Sequence, residues 1–217
     1  GAVLISAPAH GEDVTIIMGV NEQDFDKSKD KIVSLGSCTT NAIVPMLSVL
    51  DASFGIESGV MTTIHAYTNT QVLLDIEHHD MRRARAAALN IIPTTTGSAE
   101  LIDTILPQLK GKVTAIAVRV PVAKVSLIDL VVTTQKPIAV QAINDACKKA
   151  QSGSLLGVMA VTDEPLVSSD FYGNKNSVII DSLLTQSIGT TGQLFGWYDN
   201  EWGYSERLKD FLMKCVL

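Results

Sequence analysis

The chain has 217 residues, 46% of them apolar, and a formal net charge of −6 at pH 7. That supplies apolar material for one or two cores and argues against nucleic acid as the main partner, which calls for a basic face. No apolar run approaches the roughly 18 residues of a membrane span, and no secretory leader is visible, so a cytoplasmic protein is expected.

Residues 2–8 read as a strand and 14–18 as the next, with Gly11-Glu12-Asp13 between them. The polar run 21–31 reads as a loop, followed by a short strand at 32–34. Ser37-Cys38-Thr39-Thr40-Asn41 then stands directly before Ala42, Ile43, Pro45, Met46, Leu47, Val49 and Leu50. That spacing predicts a helix with Cys38 at or near its N-terminus, ending near Phe54-Gly55. First-turn N–H groups lack intrahelical partners, and the helix dipole adds positive potential. A thiolate there is expected to be stabilised, its pKa falling from about 8.5 to between roughly 3.5 and 7.5.

Ile56, Ser58, Val60, Thr62 and Ile64 share one face of a predicted strand, which puts His65 on the other face beside Thr63. The segment 82–89 is short and alanine-rich, and Ser98-Ala99-Glu100 opens a helix carrying Leu101, Ile102, Ile105 and Leu106. Segments 113–120 and 125–134 are β-rich. Arg119 shares a strand face with Ala115 and Ala117, which leave its guanidinium room. An amphipathic helix is expected over 139–151, with Val140, Ile143 and Ala146 or Cys147 inward and Lys148 and Lys149 matching the dipole in its last turn. Strands near 177–181 and 194–198 follow, then a closing helix over about 204–214. Trp197 and Trp202 read as core packing. The adjacent His78 and His79 are expected to point apart toward solvent and to hold no metal. Cys38, Cys147 and Cys215 are widely scattered, the pattern of free thiols. Grouped β segments with few helices predict α+β: one mixed, largely antiparallel sheet, helices on one face, the other face free for subunit contact. A mean hydropathy of +0.24 fits either such a covered face or simply a large core.

A cysteine at a helix start and a histidine at a strand end have the chemistry of a nucleophile and its base. Taken alone, each has a plain structural reading as well, Cys38 as a buried thiol behind a Ser/Thr cap and His65 as a hydrogen-bonded core residue. Thr95-Thr96-Gly97 offers hydroxyls and free N–H groups to an anion, or forms an ordinary turn.

Five stretches in register decide between these readings. They are Ser37-Cys38-Thr39-Thr40-Asn41; residues 62–71 around His65; Arg82-Arg83-Ala84-Arg85 running on to Asn90 and Thr94-Thr95-Thr96-Gly97; Arg119-Val120-Pro121; and Trp197-Tyr198-Asp199-Asn200-Glu201-Trp202-Gly203-Tyr204. In that order and spacing the chain resembles the phosphorylating glyceraldehyde-3-phosphate dehydrogenase family, including its erythrose-4-phosphate-using relatives, over essentially its whole length. The resemblance implies that Cys38 forms a thiohemiacetal and then a thioester, with His65 as base. It implies Thr68, Thr70 and Arg119 for the substrate phosphate, and Ser37, Thr39, Thr96 and Gly97 for inorganic phosphate. Asn200 and Tyr204 are implied to line the nicotinamide end of NAD or NADP, and Arg83 to lend field to both anion sites or anchor its loop. No metal is implied. The implied partners are a small phosphorylated aldehyde, inorganic phosphate and sister subunits of a homotetramer.

No Gly-x-Gly-x-x-Gly cradle for a dinucleotide occurs in the 217 residues. The expectation is therefore a remnant of a Rossmann-type NAD-binding domain at 1–37, a catalytic domain at 38–200, and a C-terminal helix at 201–217 packing toward the cofactor domain. Such a chain, a piece of a longer dehydrogenase, is not expected to complete the reaction alone. Alternatives are the catalytic domain of an erythrose-4-phosphate dehydrogenase, a cofactor-free Cys–His acyl-transfer enzyme, and an inactive fragment with residual acyl transfer. Two departures from the family pattern stand out: Ser34-Leu35-Gly36-Ser37 where the family usually reads Ser-Asn-Ala-Ser, and Lys124 where it usually has asparagine.

Overall fold

The structure, a computed structural model, describes residues 2–216. Strands β1 (Val3–Ile5), β2 (Val14–Thr15) and β3 (Ile32–Ser34) form a small sheet in the order β1-β3-β2 with both pairings parallel. The second strand is shorter than the 14–18 expected. Beyond Thr15, the Ile17 N–H turns to the Asn21 side-chain oxygen at 2.7 Å, which takes the backbone off the ladder while Ile16, Ile17 and Met18 stay buried.

Helix α1 (Cys38–Phe54) follows directly. Ser37 caps it, its Oγ accepting from the Thr40 N–H at 3.0 Å. Gly55 ends it at φ +68°, a conformation that favours glycine. Its apolar residues from Ala42 to Leu50 are buried, so it forms the central post of the larger core.

Around that post lie β4 (Ile56–Ala66), β5 (Ile92–Thr94), α2 (Ser98–Ile105), β6 (Val113–Val120), β7 (Ser126–Thr134), α3 (Val140–Gln151), β8 (Met159–Thr162), β9 (Val178–Asp181), β10 (Gln186–Ile188) and β11 (Thr191–Tyr198). They form one mixed sheet in the order β5-β6-β4-β7-β11-β9-β8, with β10 on β11. Only β4–β6 and β8–β9 pair in parallel; the other pairings are antiparallel. Residues of α1, α2 and α3 share a core with the inward side chains Met61, Ile128, Leu130, Val132 and Leu194. On the opposite face Val60 and Ile116 are exposed. The α+β reading and its largely antiparallel sheet are what the chain adopts.

His65 lies on the buried face with Thr63 and Met61, as alternation requires. Ile56 does not share the outer face with Val60, because a bulge between Ile56 and Ser58 shifts the register and turns it inward. Val140, expected inward, is exposed because it is the first residue of α3, ahead of the packed turn led by Ile143. Trp202 is 51% exposed rather than core. Trp197 stacks on Phe171 at 5.3 Å and donates from Nε1 to Asp181 at 3.1 Å.

The closing helix α4 (Trp202–Phe211) begins two residues earlier than expected and runs into a π-helical turn at Leu212–Val216. It packs away from the large sheet: Phe211, with Tyr204 and Leu208 beside it, joins Ile16, Met18, Val33 and Leu35 over the small sheet. Arg207, only 3% exposed, reaches back to the large core by donating to the Gly157 carbonyl at 2.8 Å.

Candidate active site

The parallel pairing of β4 and β6 sets His65 directly beside Arg119, and α1 opens across from the end of β4. Cys38 Sγ lies 3.6 Å from His65 Nε2. His65 Nδ1 lies 2.6 Å from the Ala66 carbonyl oxygen and 2.8 Å from Arg119 Nη1. Arg119 Nη1 also donates to the Ala66 carbonyl at 3.0 Å and to Thr68 Oγ1 at 3.4 Å. Two tautomers fit. With the proton on Nδ1 bound to Ala66, Nε2 is free to accept the thiol proton; with Nδ1 accepting from Arg119, Nε2–H faces the sulfur.

Burial, then the Arg119 cation, lower the His65 pKa to about 4. The Cys38 thiol is pushed up, not down. Burial outweighs the opposing hydrogen bonds from Thr39, the Arg119 charge and the N–H of Cys38 itself. This runs against the expectation from the helix N-terminus alone: the dipole and first-turn N–H groups act on a half-buried sulfur in the cavity wall, where desolvation opposes them. Both shifts favour thiol and neutral imidazole in the resting pair, leaving the thiol proton a 3.6 Å path to Nε2.

The His65 shift has a consequence for stability. A histidine whose folded pKa lies below its unfolded value binds fewer protons in the native state, so its contribution is present above pH 6.5 and lost as pH falls toward 4. With the folded value at about 4, roughly 3 kcal/mol should be lost across that window. Urea titrations at pH 7 and pH 4.5 should show the loss, and His65→Asn should flatten it; equal slopes for the two proteins would remove the argument.

A cavity of about 360 Å³ opens onto this pair, and it collects most of the residues singled out from the sequence: Ser37, Cys38, Thr39, His65, Thr68, Arg83, Thr96, Gly97, Arg119 and Asn200. Pro8 of the N-terminal segment and Glu201 are also among its lining residues. Gly97 immediately precedes α2, and a Cβ built there would meet nothing within 4 Å, so its backbone faces open space. A larger cleft of about 530 Å³ beside β5 and β6 contains neither a cysteine nor a histidine.

Two predicted residues stand outside the cavity. Thr70 lies on the exposed loop, its hydroxyl 3.0 Å from that of Thr68. Tyr204 packs on the small-sheet core and donates to the Gly36 carbonyl at 3.0 Å. Arg83 has both features considered for it: it lines the cavity, and it is anchored to Asp80 at 3.4 Å. Arg119 pairs with no carboxylate among the described residues; burial, joined by the positive charge of Arg83, pushes its pKa down. Two guanidiniums thus line one polar cavity, a donor set whose chemistry suits an anion.

Tyr198 was missed from the sequence. It is buried, and its hydroxyl lies 3.0 Å from Thr39 Oγ1 and 2.7 Å from Thr63 Oγ1, with its ring edge-on to His65 at 5.9 Å. Burial, together with the neighbouring Cys38, pushes its phenol up, so it stays a neutral strut. The alternation of β11, with Leu194 and Tyr198 on the inward face, was the signal available. His78 and His79 do not point apart: their rings stack at 4.2 Å, and His78 Nδ1 accepts from the Asp80 N–H at 2.9 Å. No group of three His, Cys, Asp or Glu side chains among the described residues is arranged to hold a metal. No helix among them is long and apolar enough to cross a membrane.

Comparison with known proteins adds an independent line. Residues 37–200 match the profile of the glyceraldehyde 3-phosphate dehydrogenase C-terminal domain. The chain is 54% identical over 209 residues to glyceraldehyde-3-phosphate dehydrogenase 2 of Streptomyces avermitilis, covering 96% of this chain and 62% of that protein. It is 50% identical over 211 residues to glyceraldehyde-3-phosphate dehydrogenase 2 of Bacillus subtilis, covering 97% and 62%. To the chloroplastic glyceraldehyde-3-phosphate dehydrogenase GAPB of Arabidopsis thaliana it is 51% identical over 211 residues, covering 96% and 47%. The chain thus spans about 62% of the length of its bacterial relatives. It belongs to the glyceraldehyde 3-phosphate dehydrogenase family, in the part that carries the C-terminal domain.

Proposed function

We propose that this chain is the catalytic portion of an NAD(P)-dependent phosphorylating dehydrogenase that oxidises glyceraldehyde 3-phosphate to 1,3-bisphosphoglycerate. The observation that carries the reading is the 3.6 Å approach of Cys38 Sγ and His65 Nε2 at the mouth of a cavity holding two arginines. Cys38 adds to the aldehyde carbonyl, its proton passing to Nε2 and on to the carbonyl oxygen, which gives a thiohemiacetal. Nε2 then takes the hydroxyl proton as the carbon is oxidised to the thioester level. Inorganic phosphate attacks the thioester carbonyl, the C–S bond breaks, and Cys38 leaves with the electron pair while the acyl phosphate departs.

Arg119 and Thr68 take the substrate phosphate, with Thr70 at the outer edge. Ser37, Thr39, Thr96 and Gly97 take inorganic phosphate, and Arg83 supports that second anion. Asn200 fits a nicotinamide carboxamide: it lines the cavity, and among the described residues its side-chain amide N–H groups have no protein acceptor while Oδ1 receives only Ser126 Oγ at 3.5 Å. When bound, the cofactor supplies the hydride acceptor. Tyr204, tied to the Gly36 carbonyl at 3.0 Å, steadies the loop before Cys38 and lines the nicotinamide end beside Asn200. The three parallel strands at residues 2–34 and the α4 packing over them support reading 1–37 as part of the cofactor domain, 38–200 as catalytic and 201–217 as the helix joining them. The outer sheet face, where Val60 and Ile116 are exposed, is the surface that sister subunits of a homotetramer would cover.

The test needs no cofactor. Iodoacetamide should label Cys38 first, since His65 Nε2 lies 3.6 Å from its sulfur to take the proton. By contrast, Cys147 is buried with its thiol pushed up to about 12, and Cys215 is pushed up by burial and the Glu22 carboxylate against the lowering charge of Lys214, with no base hydrogen-bonded to it among the described residues. Glyceraldehyde 3-phosphate should protect Cys38, and unphosphorylated glyceraldehyde should protect it about tenfold less well. Arg119→Ala should erase that difference, because a charge-assisted phosphate pair is worth about 1.5–3 kcal/mol. Equal protection by both aldehydes would sink the phosphorylated-substrate reading, and stronger protection by erythrose 4-phosphate would favour a tetrose.

A further inference from the structure

Arg83 reaches the Thr95–Gly97 turn, its Nη2 3.4 Å from the Thr95 carbonyl, yet it hangs on a loop with no strand or helix to hold it. What holds it is Asp80. One carboxylate oxygen of Asp80 accepts from the backbone N–H groups of Arg82 at 2.9 Å and Arg83 at 3.3 Å, closing a turn that the Ala84 N–H completes onto the Asp80 carbonyl. The other oxygen accepts from Thr94 Oγ1 at 3.1 Å and pairs with Arg83 Nε at 3.4 Å. Thr94 Oγ1 in turn accepts from Arg83 Nε at 2.8 Å. The result is a closed triangle of Asp80, Thr94 and Arg83 that ties the loop to β5, one residue before the Thr95–Gly97 turn. His78 fixes the start of this clasp through the Asp80 N–H.

The triangle uses only the Nε edge of the guanidinium. Nη2 makes one long contact, 3.4 Å to the Thr95 carbonyl, and Nη1 has no protein partner among the described residues. The forked end is thereby left for the cavity, where Arg83 stands with Thr95, Thr96 and Gly97. Arg119 is held separately, by Ala66 and His65, so the clasp touches only one of the two guanidiniums.

We propose that Asp80 is a positioning residue that clamps Arg83 so that its Nη groups serve the inorganic-phosphate side of the cavity and not the substrate-phosphate side. The proposal rests on the reading of the two anion sites given above. Charge and position make opposite predictions for it. Removing a negative charge near a phosphate should, by relieving Coulomb repulsion, tighten phosphate binding. Releasing a long guanidinium from its clamp should weaken it, because the side-chain freedom must then be lost on binding.

The experiment titrates inorganic phosphate by calorimetry into the 217-residue chain kept in excess glycerol 3-phosphate, a stable monoester that fills the Arg119 side. Asp80→Asn is nearly isosteric, but its amide cannot pair with a cation. It should weaken phosphate about tenfold and leave glycerol 3-phosphate affinity within about twofold. Thr94→Val, which opens the same triangle from the strand side, should weaken phosphate in the same direction and guards against a folding defect in one variant. Unchanged or tighter phosphate binding in both variants overturns the proposal, as does the absence of saturable phosphate binding in the parent chain. Equal weakening for both ligands overturns it too, since Asp80 would then support the cavity at large. Phosphate-selective weakening in a chain whose Cys38 proves unreactive would keep the clamp and refute the catalytic reading instead.

Discussion

His65→Asn should slow the acylation of Cys38 by about 10²- to 10⁴-fold, the usual worth of a positioned general base, and Cys38→Ser should abolish it. The reaction is the burst of p-nitrophenol from p-nitrophenyl acetate, which needs a nucleophile, a proton acceptor and nothing from a cofactor. The large effect follows from the state of the pair. Burial leaves Cys38 a thiol and His65 a neutral imidazole, so little thiolate exists at rest and the proton must move as the sulfur attacks. Nε2, 3.6 Å from the sulfur, is the base placed to accept it. Asparagine keeps the polarity of the site without accepting a proton at that pH. The variant must show a normal near-ultraviolet circular dichroism spectrum for the comparison to count. A burst slowed less than about threefold would mean that the histidine is structural.

Arg207→Ala should destabilise the chain by about 3 kcal/mol, the cost of removing a buried cationic side chain together with its hydrogen bonds and its half-buried partner Asp210. Arg207 is 3% exposed, pairs with Asp210 at 2.7 Å, and donates to the Gly157 carbonyl at 2.8 Å and toward Ser177 Oγ at 3.4 Å. It is the polar bolt between α4, which rides on the small sheet, and the loop before β8 of the large one. Its removal strands the Gly157 carbonyl and opens a cavity between the two cores. Differential scanning calorimetry should find Tm lower by about 6–12 °C, at the 2–4 °C per kcal/mol expected for this size. A change under about 2 °C would mean that water or Lys209 takes over the contacts.

Neither Arg207 nor Asp80 was legible as sequence. Arg207 reads as one more charge on an amphipathic helix, and its burial depends on how two sheets meet. Asp80 sits in a turn-rich segment where every polar residue reads as loop. Tyr198 hid among the aromatics of residues 197–204, although the period-2 pattern of β11 pointed it inward. By contrast the positions of Cys38, His65 and Arg119 were readable from local rules, a cap before an apolar helix, a strand alternation, and small neighbours on one strand face, while their roles came from the family resemblance. The same rules located β6 and the start of α2. Rules for strands failed where a neighbour ended the ladder, as Asn21 does after Thr15, or where the strand is short and edge-like, as in β5, β8 and β10. The sulfur's environment was misjudged because the helix dipole is local and readable, whereas its desolvation comes from residues far apart in the chain. Val125 is a similar case. Its φ of +66° is rare for a β-branched residue and costs about 1–3 kcal/mol, yet it is buried against Phe171 and Ile179, contacts no local pattern reveals.

The most direct test of the Cys38–His65 cavity as an acyl-transfer centre is to locate the acyl group. The chain is treated with p-nitrophenyl acetate at neutral pH, quenched in acid, digested and mapped by mass spectrometry, with and without inorganic phosphate. A single acetyl group on the peptide holding Cys38, discharged several-fold faster when phosphate is present, is the predicted result. Acetyl groups spread over Cys215 and surface lysines, or a Cys38 adduct indifferent to phosphate, would contradict it.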